Sequence, residues 1–126
     1  LTGRADRMRY NAIPGVVYTN PEVAGVGETE ESAKAKGLDY KVAKLPMAYA
    51  GRFVAENEGG SGICKVLIGA KHGEVIGVHM LGNPCSEMIY GACMAIEQEM
   101  TVEELQEVVF PHPTVSEIFK ETIFAF

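Results

Sequence analysis

The chain has no Cys-x-x-Cys pair, no Gly-x-Gly-x-x-Gly run and no apolar stretch that would cross a bilayer. Each absence closes a class of function. Its three cysteines, Cys64, Cys85 and Cys93, show no regular spacing, so the chain carries no redox disulfide pair of its own. Without a glycine fingerprint it cannot seat a dinucleotide on a Rossmann unit or transfer hydride by itself. A structural zinc site needs four N or S ligands at suitable spacing, and three cysteines with three histidines do not offer one, so no metal is expected. Crossing a membrane takes roughly 18 to 20 consecutive apolar residues. A formal net charge of −6 without an extended basic stripe argues against nucleic acid or an anionic membrane as partner. A small organic substrate or another protein fits better. No serine sits in a Gly-x-Ser-x-Gly elbow, and no glycine-rich phosphate loop is present. An odd number of thiols, in a chain whose start reads as no secretion signal, fits reduced cysteines in a cytoplasmic compartment, packed as small apolar residues. The chain opens on Leu1 rather than Met, and the expectation is a piece of a longer protein.

What is present fits one globular domain: 126 residues, 47% of them hydrophobic and 22% charged, enough for a modest core. Residues 1–12 are polar and read as a connector from something upstream, leaving 13–126 as the domain. Val16-Val17-Tyr18-Thr19 reads as a strand stopped by Asn20-Pro21, and Val23 to Gly27 resumes extended structure. Thr29 opens a helix with Glu30 and Glu31 in its first turn, and Gly37 stops it. Tyr40 to Met47 alternates as a strand. Glu58 to Gly62 is a loop, and Ile63–Gly69 and Glu74–Leu81 form a hairpin. From Pro84 the apolar positions Cys85, Met88, Ile89, Ala92, Ala95 and Ile96 recur at helical steps. Thr101-Val102-Glu103-Glu104 is a capping box, and Thr114 to Phe126 predicts a last helix. The sum is α+β: an antiparallel sheet packed by helices in two layers.

Met88 to Ile96 holds no charged residue on any face. A helix apolar all round is covered on both sides. The chain's own sheet covers one side, and the expectation for the other is a second chain. The closing Ile123-Phe124-Ala125-Phe126 points the same way. A dimer is expected.

The run Phe110-Pro111-His112-Pro113-Thr114-Val115-Ser116-Glu117 carries most of the chemistry. Thr114 is a natural N-cap, which puts Glu117 at the third helical position. Thr-x-x-Glu is then a capping box worth about 1 kcal/mol. A first-turn carboxylate also points back past the helix start, within reach of His112 two residues before the cap. Pro111 and Pro113 stiffen the support of that histidine. If Glu117 accepts a hydrogen bond from one ring nitrogen, the other keeps its lone pair and acts as a base. His112 and Glu117 are therefore the candidate catalytic residues, a pair able to take a proton from a thiol. His72, in a hairpin turn, and His79, inside a strand, read as an exposed turn residue and a structural histidine.

These residues resemble a known family. Phe110 to Glu117 resembles the C-terminal signature His-Pro-Thr-x-Ser-Glu of the flavin-dependent disulfide oxidoreductases, the pyridine nucleotide-disulfide oxidoreductase family. Ile13 to Ala24 with Val26-Gly27 resembles the start of their interface (dimerisation) domain. Val75-Ile76-Gly77-Val78-His79-Met80-Leu81-Gly82 and Glu87-Met88-Ile89 follow in order. The resemblance covers nearly all of the chain from Ile13 and is greatest to the dihydrolipoamide dehydrogenase branch. It implies an enzyme that binds FAD and NAD in upstream domains, with a redox cysteine pair there. It implies a homodimer in which His112, oriented by Glu117, enters the other subunit's active site and shuttles protons of dihydrolipoyl thiols. A cis His112-Pro113 bond, membership of a 2-oxo acid dehydrogenase or glycine cleavage complex, and inactivity of the fragment alone are implied in the same way. Phe110 stands where many lipoamide dehydrogenases carry another histidine. Glutathione and mercuric reductases have related interface domains, so their disulfide substrates stay open. Two rivals remain: a protein-interaction module whose His–Glu pair only caps a helix, and a small hydrolase, for which no convincing nucleophile or metal set is present.

Overall fold

A computed structural model describes residue 3 and residues 5–126. Leu1, Thr2 and Arg4, part of the expected connector, lie outside the described residues. The rest of that segment to Tyr10 has no regular structure, and Arg9 ties it to the body by an ion pair with Glu97 at 3.0 Å.

Five strands form one sheet: β1 (Gly15–Val17), β2 (Val23–Gly27), β3 (Tyr40–Pro46), β4 (Ile63–Gly69) and β5 (Val75–Leu81). Their order is β1-β2-β5-β4-β3, and every neighbouring pair is antiparallel. The helices are α1 (Glu30–Ala35), α2 (Gly51–Glu56), α3 (Cys85–Glu97), α4 (Val102–Gln106) and α5 (Glu117–Ile123). This is the α+β, two-layer arrangement expected from the pattern.

Period two decides which side of the sheet is core. Cys64, Val66 and Ile68 of β4 lie beside Ala24 and Val26 of β2 and Val78 and Met80 of β5, all buried in one cluster. Onto that face α3 brings Ile89, Ala92 and Ile96 across β2 and β5, and α5 brings Ile118 and Ile123 across β3 and β4. Fully burying each of the isoleucines and valines among them contributes roughly 1.5–3 kcal/mol. The opposite face is partly covered by α1, whose Glu30 pairs with Lys44 at 2.9 Å and Lys65 at 3.3 Å.

Local chemistry sets the boundaries. Thr29 caps α1, its hydroxyl accepting from the Ser32 N–H at 3.1 Å while the Ser32 hydroxyl accepts from the Thr29 N–H at 2.9 Å. Gly37, at φ +67, lets the Leu38 N–H reach the Ala33 carbonyl and its own N–H reach Lys34, each at 3.0 Å, a Schellman stop. Pro84, ahead of α3, has no capping side chain. Glu22 supplies one from β1–β2, accepting from the Ser86 N–H at 2.9 Å. Gly77 is required by close approach, because a Cβ there would lie 2.0 Å from the Glu28 carbonyl oxygen.

Four of the expected elements differ in their bounds from the sequence reading. The first strand ends at Val17, since the Thr19 hydroxyl donates to the Pro21 carbonyl at 2.7 Å and bends the chain. β3 stops at Pro46, where Met47–Tyr49 coils into a 3-10 turn that runs into α2. The second hairpin strand begins at Val75, because Glu74 bridges to Thr101 instead. The last helix spans Glu117–Ile123 rather than Thr114 to Phe126. No helix among the described residues is long and apolar enough to cross a membrane.

Candidate functional site

His112 stands on the connection between α4 and α5, and both ends of that connection are anchored in the core. Leu105 holds α4 and Val115 the far end, each nearly inaccessible. Phe110 packs edge-on against Phe119 of α5, with ring centroids 6.3 Å apart at 65°, a favourable aromatic geometry. From the connection held by these anchors the imidazole projects with its side chain 80% exposed. The His112-Pro113 peptide is cis.

Glu117 is the opposite case, with a side chain only 11% exposed. It sits in the first turn of α5, and its carboxylate folds back over the helix start. Nδ1 of His112 lies 2.9 Å from Oε1 and 3.0 Å from Oε2. With the carboxylate ionised, Nδ1–H is the donor to both oxygens, which leaves the Nε2 lone pair free. Among the described residues no hydrogen bond is made to Nε2. The Thr114 backbone N–H donates to Oε2 at 3.0 Å, and the Lys120 ammonium lies 3.6 Å from Oε1. The Thr114 N–H foremost, then the His112 hydrogen bond, hold the Glu117 carboxyl below the usual carboxylate range, so it stays ionised at neutral pH. A carboxylate that fixes the tautomer and direction of an outward-facing imidazole is an arrangement suited to moving a proton at Nε2.

Thr114 does not cap α5 with its hydroxyl as the sequence pattern predicts. The hydroxyl donates instead to the Pro111 carbonyl at 2.8 Å, and Ser116, the residue before α5, makes no capping bond. Half of the expected box survives, because the Glu117 carboxylate still receives the Thr114 N–H. The sequence reading did not flag Lys120 or the Phe110–Phe119 contact. Lys120 follows Glu117 at the i,i+3 spacing of a helical ion pair, a signal the sequence did carry, whereas Phe110 and Phe119 meet only through the turn between α4 and α5.

The other histidines stand apart. His79 projects from β5 onto the far face of the sheet, where Nε2 lies 2.9 Å from the Glu28 carbonyl oxygen and the ring fills the space above Gly25. His72 is an exposed residue of the β4–β5 turn. Cys64 is buried beneath α5, and burial pushes its thiol up to about 11. Among the described residues no group of three or more His, Cys, Asp or Glu could hold a metal ion.

A flavin or nicotinamide dinucleotide needs free backbone N–H groups at a helix start to hold its pyrophosphate. Among the described residues the start of α3 is the one place where a glycine, Gly82, precedes a long helix, and its amides are already engaged. Cys85 N–H donates to Gly82 and Glu87 N–H to Pro84, while Ser86 N–H meets the Glu22 carboxylate, whose charge would repel phosphate. The residues present do not fit such a cofactor. Beside His112, a shallow groove of about 310 Å³ runs between Arg52, Glu56, Glu87, Met88 and Pro113–Ser116. It is open, and does not enclose the ring.

The side of α3 turned away from the sheet is bare. Tyr90 is 69% and Met94 48% exposed, and Gly91 between them adds no cover.

Comparison with known proteins bears on the fold and the family. Residues 13–123 match the family described as pyridine nucleotide-disulphide oxidoreductase, dimerisation domain. Dihydrolipoyl dehydrogenase 3 of Pseudomonas putida is 42% identical over 121 residues, which are 96% of this chain and 26% of that protein. The mitochondrial dihydrolipoyl dehydrogenase of Pisum sativum is 37% identical over 99% of this chain and 25% of its own length. Among solved structures, the HOCl-induced flavoprotein disulfide reductase RclA of Escherichia coli superposes with a TM-score of 0.87 at 28% identity, over 98% of this chain and 29% of that one. The chain thus spans about a quarter of the length of the curated relatives it matches. With its antiparallel sheet packed by helices and its match over nearly every residue from Ile13, the chain belongs to the dimerisation-domain family of the pyridine nucleotide-disulphide oxidoreductases.

Proposed function

We propose that this chain is the C-terminal dimerisation domain of a dihydrolipoamide dehydrogenase-like flavoenzyme, and that His112 is the acid–base of its thiol chemistry. The observation that carries the reading is the contrast within one pair: Glu117 nearly buried and His112 exposed, joined through Nδ1. The nitrogen that faces outward is thereby the one able to accept a proton. In the proposed homodimer the bare side of α3 meets its copy, and His112 enters the partner subunit's reaction centre. FAD, NAD and the redox disulfide belong to the rest of the full-length enzyme. FAD and NAD supply the electron transfer there. No step of theirs runs through residues of this chain, which on its own is inactive in this reading.

The step assigned to His112 is a proton transfer. Nε2 takes the proton of a dihydrolipoyl S–H, and the thiolate attacks the enzyme's disulfide. A new S–S bond forms as the old one breaks and releases a thiolate. The imidazolium, stabilised by Glu117, then returns its proton to a leaving sulfur. A thiol with an ordinary pKa of about 8.5 is mostly protonated at neutral pH, so a positioned base contributes roughly 10²–10⁴ in rate.

The test is His112→Gln in the full-length enzyme. Dihydrolipoamide turnover falls by at least about 10² while flavin content is unchanged. Undiminished turnover overturns the assignment. Parallel assays with glutathione disulfide and with dihydrolipoamide decide between the two substrate classes.

A further inference from the structure

We infer that Thr114 is a positioning residue for His112: its hydroxyl closes the turn that presents the ring and so releases the Thr114 backbone N–H to hold the orienting carboxylate. The inference rests on the acid–base role proposed for His112.

In a hydrogen-bonded four-residue turn the first carbonyl accepts from the N–H of the fourth residue. Residues 111–114 make a turn of that length, yet the Pro111 carbonyl takes the Thr114 hydroxyl, at 2.8 Å. The N–H that would ordinarily close the turn points the other way, to Glu117 Oε2 at 3.0 Å. Pro111 and Pro113 have no N–H, and the Nδ1 of His112 is engaged with Glu117. One threonine therefore serves two ends: its side chain keeps the turn closed, and its main chain pins the carboxylate.

The pin matters because Glu117 has a second suitor. Lys120 lies 3.6 Å from Oε1, the same oxygen that is 2.9 Å from Nδ1, although Glu121 also holds that ammonium at 3.1 Å. Thr114→Val keeps the shape of the side chain without the donor. The Thr114 N–H then turns to the vacant Pro111 carbonyl, Oε2 loses its fixed partner, and the carboxylate swings toward Lys120. The imidazole keeps its place in the chain and loses its aim. Misplacement of a reacting group on the scale of 1 Å costs up to about 10² in rate.

The experiment compares Thr114→Val, Thr114→Ser and His112→Gln in the full-length flavoenzyme, with dihydrolipoamide as substrate. Thr114→Val is expected to lower kcat about tenfold or more with KM changed less than about twofold, and to keep native flavin content and Tm. Thr114→Ser, which retains the hydroxyl, keeps kcat within about twofold of native. A Thr114→Val kcat within about twofold of native, or a Thr114→Ser enzyme as slow as Thr114→Val, overturns the inference. So does a Thr114→Val loss that tracks lost flavin or a lowered Tm. If His112→Gln itself leaves turnover intact, the acid–base reading is what fails. If His112→Gln is crippled while Thr114→Val is not, only the role of Thr114 falls.

Discussion

Replacing Glu117 with Gln changes one atom and leaves the shape of the site in place, so it isolates what the carboxylate contributes. Two donors converge on Glu117, the His112 Nδ1–H and the Thr114 N–H. A carboxylate accepts both. An amide has one acceptor oxygen, and its NH₂ must face the other donor. If the oxygen stays with Thr114, whose N–H is fixed by the backbone, the NH₂ faces Nδ1. The imidazole then accepts there and carries its proton on Nε2. That is the wrong tautomer for a base. In another histidine-based site the same carboxylate-to-amide exchange lowers kcat by on the order of 10⁴ through the tautomer, and loss of general acid–base catalysis spans roughly 10²–10⁴. Glu117→Gln in the full-length enzyme should therefore lower kcat for dihydrolipoamide by at least about 10², measured as steady-state NADH formation, with flavin retained. The variant also has a stability signature. The Glu117 carboxyl is held below its ordinary value by the Thr114 N–H and then by His112. A depressed folded-state value adds stability that is present above the unfolded pKa and lost as pH falls through the folded one. The Tm gap between native and Glu117→Gln is accordingly widest near neutrality, and closes as pH drops below about 4.3. A kcat within about threefold of native, or a gap unchanged down to pH 3, would refute the reasoning.

Three further outcomes are expected. Phe119→Ala removes a side chain only 6% exposed and the ring on which Phe110 rests, and should cost about 3–5 kcal/mol, read as a lowered denaturation midpoint; a cost below about 1 kcal/mol would show that the site is anchored elsewhere. Cys64, fully buried and with its thiol pushed up to about 11, should resist alkylation at pH 8 in the native protein and react once unfolded, as mass spectrometry of digests would report. Met94→Glu places a charge on the exposed side of α3; sedimentation should then show the full-length dimer dissociating, and an intact dimer would move the proposed contact off that helix.

Much of the architecture was written in local pattern. The β4–β5 hairpin follows from two β-branched runs around a glycine-bearing turn, and α1 from Thr29 at one end and Gly37 at the other. α2 was not legible, because Gly51-Arg52-Phe53-Val54-Ala55-Glu56 buries only Phe53 and starts on Ala50, which makes no side-chain cap. A single buried position shows no period. The pairing of His112 with Glu117 could be anticipated from spacing, since a first-turn carboxylate must reach back over the helix start. The start of α5 could not, because Thr-x-x-Glu is also written by a capping box, and the choice fell to a competing acceptor in the turn just before it. The Pro111 carbonyl attracts the Thr114 hydroxyl, and the helix begins three residues later. The family resemblance supplied the cis His112-Pro113 peptide, which no propensity of the flanking residues specifies.

His112 stands proud of its own domain, with a shallow groove at its foot and no enclosing walls. This half of the proposed active site thus provides reactivity without choosing what reacts. Discrimination among dithiols would belong to the surface that receives the ring. On that footing, a chimera in which this domain replaces its counterpart in a relative of different preference should keep the recipient's selectivity. The domain would be a portable proton donor, fitted to its host by the seam between subunits and indifferent to the cargo.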